Sequence, residues 1–546
     1  MLHRSHASIL VLLLGLSVSA QPAGRTVDLG ALEERVKRAA TRAIRATVSV
    51  WNGGGGSGVI VSPDGWVLTA AHVLKKPGGK VQVVLHNGKP LTAKSMGRIG
   101  RSDAALVKIT AKGRWPWAPM GTSDDVKRGA LCLSTGTPMG YLRGRTSPLR
   151  LGTVLDQNEH YLRTSCTLDR GDSGGPLFDI NGVVIGVNSR IGSSLTKNYH
   201  VPVGVFRDKW ERLVAGEKID DVKPPPNGRV TEPPRLRNPV TPWRSTQPVR
   251  AAITDVVRRG RQSVVAIESS DGRKVLGTVV AEDGWIVTKA SELGRRATCR
   301  VGKKRFTLET VHVSRAHDLV VVKVDQTLVP VELSSRPKYE PGMFLLTALA
   351  TGKTKIGVVG SGPMRIRNLG GYLGASFENA DGAGARVKEV KPRGAAFKAK
   401  LVKGDVLLAL DDQPIKTGAD LRSRLRRIDP GTSVVFRYRR GKQERTVTLR
   451  MGSRRDTLPK HLAPAPGDPF SRLRLSTKRS GFRKALQHDT ALLPSECGGP
   501  VFDLNGACVA INLARASRHA SLAVPAAEVK RVVADARRAV KKRGGK

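Results

Sequence analysis

The sequence predicts a mainly β protein of several domains, and three observations carry that expectation. Its 546 residues leave room for two to four domains. Short Val/Ile/Leu runs recur between Gly, Pro, Asn and Asp, the punctuation of strands and hairpins. The run pattern also occurs twice. Ser263-Val264-Val265-Ala266-Ile267 answers Ala46-Thr47-Val48-Ser49-Val50. The stretch from Gly277 to Trp285 answers that from Gly56 to Trp66 with a small gap. Asp318 to Lys323 answers Asp103 to Lys108, and Glu496-Cys497-Gly498-Gly499-Pro500 answers Asp172-Ser173-Gly174-Gly175-Pro176. The chain therefore reads as an internal duplication of one barrel unit. Hydrophobic residues make up 39% of it and aromatic ones only 4%, so the cores must rest on Val, Leu, Ile and Ala.

Residues 1–20 read as an export signal, with Arg4, an apolar run over 9–20 and a small-residue cleavage site at Val18-Ser19-Ala20. The spacing at 29–44 predicts an amphipathic helix. A strand follows at 46–51, a glycine-rich turn at 53–58, then strands at 59–61 and 66–70 around Ser62-Pro63-Asp64-Gly65. Further strands are expected at 104–109, 130–134, 151–155, 161–167, 177–180 and 183–188, and a closing helix at 203–214. These make a first domain over 28–216. The Pro-rich stretch 217–249 reads as a semi-extended linker without a core. The second copy occupies 250–368 and 454–546. An insert at 369–453 divides it, with its own strands and a helix at 419–428, and Pro-rich residues 458–469 lead back to the barrel.

Chemistry is expected at Gly171-Asp172-Ser173-Gly174-Gly175-Pro176. Small residues around one serine let the backbone turn sharply, expose the hydroxyl and aim successive N–H groups into one space. Serine is a weak nucleophile and needs a base held by a carboxylate. His72, in Thr69-Ala70-Ala71-His72, and Asp103, at the head of an apolar strand, supply them. In the second copy Ser291 stands at the histidine position and Cys497 at the serine position, while Asp318 remains. A thiol without a base forms little thiolate. His317 adjoins Asp318, but neighbouring strand residues face opposite ways. The second copy reads as retired.

The His, Asp, Ser order of these motifs resembles that of trypsin-like double β-barrels. The insert resembles the PDZ domain of HtrA/Deg proteases at Tyr372-Leu373-Gly374-Ala375, Lys403-Gly404-Asp405-Val406-Leu407 and Ala419-Asp420-Leu421. The resemblance implies two trypsin-like double β-barrel domains with a PDZ domain inserted in the second. It implies an exported, periplasmic or secreted serine endopeptidase acting on unfolded or damaged polypeptides. His72, Asp103 and Ser173 fall on the triad, and Gly171 and Ser173 on the oxyanion N–H donors. Thr167, Asn188 and Arg190 fall on the specificity pocket. A neutral floor at Thr167 points to small or medium apolar P1 residues, with Arg190 on the wall as a complication. Leu373, Gly374 and Ala375 would hold a peptide C-terminal carboxylate. No cofactor or metal is required. The family usually has Asn before the serine. Asp172 matches secreted trypsin-type enzymes, where that aspartate pairs with a newly cut N-terminus. No such cut site is evident, so its partner stays open. The other reading is a non-catalytic, peptide-binding scaffold of the cell envelope.

A net charge of +48 spread along the chain predicts non-specific polyanion binding as a side effect. Such proteases are often trimers, and the duplicated layout offers that contact within one chain. The five cysteines fit no zinc spacing. Cys132 and Cys166 are candidates for a disulfide, with buried free thiols the blander expectation. No later run reaches 18 apolar residues, so a soluble mature chain is expected.

Overall fold

Asp28 opens the first element, its carboxylate accepting from Ala31 N at 2.9 Å to cap helix α1 (Leu29–Ala46). The computed structural model describes residues 27–544 except 123–125, 139, 143, 193, 220–238, 302, 369 and 453–472. The predicted signal, most of the predicted linker and the Pro-rich 458–469 lie outside the described residues. No described helix is long and apolar enough to cross a membrane.

Six strands follow α1: β1 (Thr47–Trp51), β2 (Gly55–Ile60), β3 (Trp66–Ala70), β4 (Lys80–Val84), β5 (Pro90–Ile99) and β6 (Ala104–Ile109). They run in the order β5-β4-β1-β2-β3-β6, and β6 pairs back to β5, closing a barrel. A second closed barrel holds β7 (Leu131–Ser134), β8 (Arg150–Asn158), β9 (Tyr161–Thr164), β10 (Pro176–Asp179), β11 (Val184–Ile191) and β12 (Asn198–Pro202). The two barrels meet at the Ser173 loop, where Ser57 of β2 donates to Ser173 O and Gly171 O.

Three local expectations change. The glycines from Gly55 to Gly58 are strand, not turn. A Cβ on Gly56 would sit 2.6 Å from Val73 and 3.0 Å from the Ser173 carbonyl, so this run lets β2 lie directly under the nucleophile loop. The closing helix is two short ones, Val203–Arg207 and Trp210–Val214, broken where Lys209 leaves helical geometry. Part of the predicted linker is packed structure. Trp243 is buried against Phe344 with ring centroids 5.5 Å apart, and Gln247–Ala252 is helical.

The second half contains a seven-stranded sheet and a closed barrel. The sheet runs from Lys304–Thr307 to Glu309–Ser314, and the barrel includes Phe344–Ala348, Pro500–Phe502, Cys508–Arg515 and Ser521–Pro525. Its hydrogen bonds repeat those of the first half. Asp103 and Asp318 both have positive φ, +58° and +54°. Gly174 N donates to Asn188 O at 2.7 Å, and Gly498 N to Asn512 O at 2.7 Å. The register moves the gap in the repeat. Thr47 faces Val59 and Val264 faces Thr278, so Gly277 answers Gly58 rather than Gly56. The insert forms a separate sheet of Ala375–Asn379, Ala385–Val390, Val406–Leu410, Ser433–Arg440 and Gln443–Arg450, with helix Gly418–Leu425 alongside.

One apolar core joins the halves. Val36 and Ala43 of α1 share it with Leu151, Phe178, Phe344 and Phe502. Leu149 N donates to Gly360 O at 3.1 Å, and Leu151 N to the Asp489 carboxylate at 3.0 Å.

Candidate active site

His72 lies two residues past β3 in a short 3-10 turn, and Asp103 immediately precedes β6. The β3–β6 pairing, with Ala70 opposite Ala104, brings the two side by side. His72 Nδ1 lies 2.9 Å from both Asp103 carboxylate oxygens, and His72 N donates to Oδ1 at 3.1 Å. The positive φ of Asp103 costs about 1–3 kcal/mol and turns its carboxylate back toward the turn. The contact with Asp103 raises the pKa of His72 above its ordinary value. Burial pushes Asp103 upward, but donation from His72 and from the Ser189 hydroxyl outweighs it and leaves its pKa lowered.

Ser173 sits in the loop between β9 and β10. Its hydroxyl donates to Ser189 O at 3.4 Å, and no hydrogen bond joins it to His72. Ser189 ties the two halves of the site together, since its own hydroxyl donates to Asp103 Oδ2 at 2.5 Å. The loop is held from below. Ser57 N donates to Ser173 O at 2.8 Å and the Ser57 hydroxyl to Gly171 O at 2.7 Å. Asp172 N, Gly174 N and Gly175 N donate to Asp169 O, Asn188 O and Asp172 O. Among the described residues, the N–H groups of Gly171 and Ser173 donate to nothing. Backbone donors beside a cleft that stay unpaired suit an incoming oxyanion.

The partner of Asp172 is Arg150, the first residue of β8. Its Nη2 lies 2.7 Å from Asp172 Oδ2, and both side chains are only 1% exposed. The buried carboxylate is paired by an arginine from within the barrel.

A cavity of about 180 Å³ adjoins Ser173, lined by Leu168, Asp169, Arg170, Ser189, Arg190 and Ile191. Of the residues expected to line the pocket, Arg190 does, stacked over Tyr199 at 5.2 Å. Thr167 does not line it. Asn188 is fully buried beneath the loop, bonded to Ser134, His200, Thr135 O and Asp172 O, so it supports the loop instead. Sequence reasoning missed Ser57, Ser189 and Arg150. Ser189, next to the pocket candidates Asn188 and Arg190, was the one within reach.

The corresponding place in the second half is closed. Ser291 Oγ donates to Asp318 Oδ2 at 2.8 Å. Cys497 is fully buried, and burial raises its pKa. Ser476 N donates to Arg515 O at 3.1 Å and Arg515 N to Ser476 Oγ at 3.0 Å. The segment around Ser476 is therefore bonded to the end of the Cys508–Arg515 strand. His317 faces Ser314 and Glu528, away from Cys497. All five cysteines are free and buried, with Cys132 and Cys166 sulfurs 3.8 Å apart.

Residues 56–187 match the family of trypsin-like peptidase domains, and 371–451 match PDZ domains. The chain is an HtrA-like, trypsin-like serine endopeptidase with a PDZ domain. Its relatives include a protein of Halomonas elongata named "Probable periplasmic serine endoprotease DegP-like". That protein is 26% identical over 413 residues, covering 73% of this chain and 79% of the relative. A protein of the same name from Chlamydia muridarum is 26% identical over 411 residues, covering 72% and 74%. Another, from Ectopseudomonas mendocina, is 35% identical over 172 residues, covering 30% and 36%.

In the PDZ domain of this protease, Ala375–Asn379 is an edge strand, paired among the described residues only with Ala385–Val390. Gly374 has φ +75°, and its carbonyl accepts from Lys391 N at 2.8 Å. Leu373 is buried, and its carbonyl accepts from Ala396 N at 2.7 Å. Arg422, on the helix alongside, donates to Phe377 O at 2.9 Å and so occupies part of the open edge.

Proposed function

We propose that the protease is exported and cleaves unfolded or damaged polypeptides through an acyl-enzyme on Ser173. His72 takes the serine proton and later delivers one to the leaving amine, while Asp103 fixes the imidazole tautomer and steadies its charged form. The N–H groups of Gly171 and Ser173 meet the developing oxyanion, each worth about 3–4 kcal/mol in comparable sites. Ser173 Oγ turns from Ser189 O toward His72 when substrate enters, as catalytic bonds often tighten only in the complex. The observation that carries this reading is the convergence at one cleft of an Asp-held histidine, a serine and two backbone N–H groups without partners.

The second half is a degenerate copy of the same unit. The shared positive φ at Asp103 and Asp318 and the matched loop bonds support that descent. Peptide C-termini add as a strand beside Ala375–Asn379, their carboxylate at the N–H groups near Leu373, Gly374 and Ala375. Polyanion binding through the +48 charge accompanies this role. The relatives' names support a periplasmic location.

Casein digestion by the mature chain tests the reading. Hydrolysis that disappears in Ser173→Ala is expected. Equal hydrolysis by the variant, or none by either protein, overturns it in favour of a scaffold.

A further inference from the structure

The turn joining Cys508–Arg515 to Ser521–Pro525 belongs to the second half, yet its tip is buried against the nucleophile loop of the first. Arg518 is 1% exposed. Its Nη1 donates to Leu168 O at 3.1 Å and to Asn198 Oδ1 at 2.8 Å, and its Nη2 donates to Ser194 O. Burial pulls its pKa down to about 10, so it stays charged at neutral pH. His519 Nδ1 lies 2.8 Å from Asp169 Oδ2. Burial and the charge of Arg150 hold His519 below its ordinary pKa, so a neutral ring donates to the carboxylate.

From Asp169 the contacts run straight to the candidate oxyanion site. Asp169 N donates to Asp172 Oδ2 at 2.8 Å, and Asp172 N to Asp169 O at 3.1 Å. That turn delivers Gly171 at φ +91°. Glycine has other conformations open to it, and fixing each backbone residue costs about 1–2 kcal/mol. Ser57, Asn188 and Arg150 of its own half hold the loop at Gly171 to Gly174, and Arg518 and His519 add the contacts on its Leu168–Asp169 side. A guanidinium taken wholly out of water is tolerated only where its donors are met. Here the acceptors are the backbone oxygens of Leu168, which lines the Ser173 cavity, and Ser194, and the amide oxygen of Asn198 at the start of β12.

We propose that Arg518 and His519 are positioning residues for peptide hydrolysis. The second half braces the 168–172 turn so that the N–H groups of Gly171 and Ser173 point into the cleft. The inference rests on the reading of Ser173 as nucleophile. It assigns the retired half a task in catalysis: keeping the front half competent within a single chain.

The test uses the full mature chain, wild type and the variants Arg518→Ala, His519→Ala and both together. The readout is the second-order rate of labelling by a small fluorophosphonate, which needs the oxyanion donors but no peptide contacts. Loss of one such donor lowers kcat by about 10²–10³-fold. The double variant is therefore expected to label at least tenfold more slowly, and His519→Ala at least threefold. Arg518→Lys should fail to rescue, because one ammonium cannot span the acceptors a guanidinium fork reaches. Labelling within twofold of wild type in the double variant overturns the brace. Where removal of Arg518 prevents folding, His519→Ala decides alone, and an unchanged rate overturns it. An unlabelled wild type overturns the serine reading and the brace together, whereas a labelled wild type with indifferent variants overturns the brace alone.

Discussion

At the residue scale, the state of His72 sets the pH response. As a base it must be neutral, and Asp103 raises its pKa. Activity should therefore fall as pH drops through a midpoint above the ordinary histidine value of about 6.5. Asp103→Asn removes the cause, so the acid limb should move to lower pH while kcat falls by about 10⁴-fold, as tautomer control is lost. A pH–rate profile of both proteins checks this. The Arg150–Asp172 pair makes a stability prediction. Arg150→Met leaves a carboxylate buried and unpaired, which costs about 3–5 kcal/mol. Arg150→Met with Asp172→Asn should recover most of that, read as the shift in thermal unfolding. The triad candidates were legible because each sits in a short string of its own. Arg150 was not, because it stands 22 residues before Asp172 in no motif and meets it only through barrel closure.

At the element scale, the nucleophile loop and β2 are one packed unit. A Cβ on Gly174 would lie 2.2 Å from both Ser57 O and Thr69 Oγ1, at a φ of +86°. Gly174→Ala should abolish fluorophosphonate labelling even where the chain stays folded by circular dichroism. Gly129→Ala, with φ +89° but open space around it, should cost only about 1–3 kcal/mol and leave labelling intact. In the PDZ domain, Arg422→Ala frees the Phe377 carbonyl, so affinity for a C-terminal peptide should rise severalfold by fluorescence anisotropy. Strands β4 and β5 escaped notice although their burial alternates with period two, because no glycine or motif marked them. The glycines of β2 misled in the opposite way. They signal close approach to Ser173, which sequence alone does not distinguish from a turn. The break at Lys209 carries no proline or glycine, so one amphipathic run was the natural expectation there.

At the scale of the whole molecule, the two halves share a core and the far half buries the Arg518 guanidinium against Leu168 and Asn198 of the near half. The matched strings were legible in the sequence, and so was the placing of Ser291 and Cys497 where the first set has His72 and Ser173. The contact between the halves was not, since Arg518 and His519 lie in a turn without distinguishing pattern. On the proposed brace, the second half is part of the enzyme rather than a passenger. Hydrolysis and its bracing both depend on Ser173 being a nucleophile in a cleft that is already formed. The most direct measurement is fluorophosphonate labelling of the mature chain, with the adduct located by mass spectrometry. A single adduct on Ser173, absent from Ser173→Ala, is expected. No adduct, or one that persists in that variant, would contradict it.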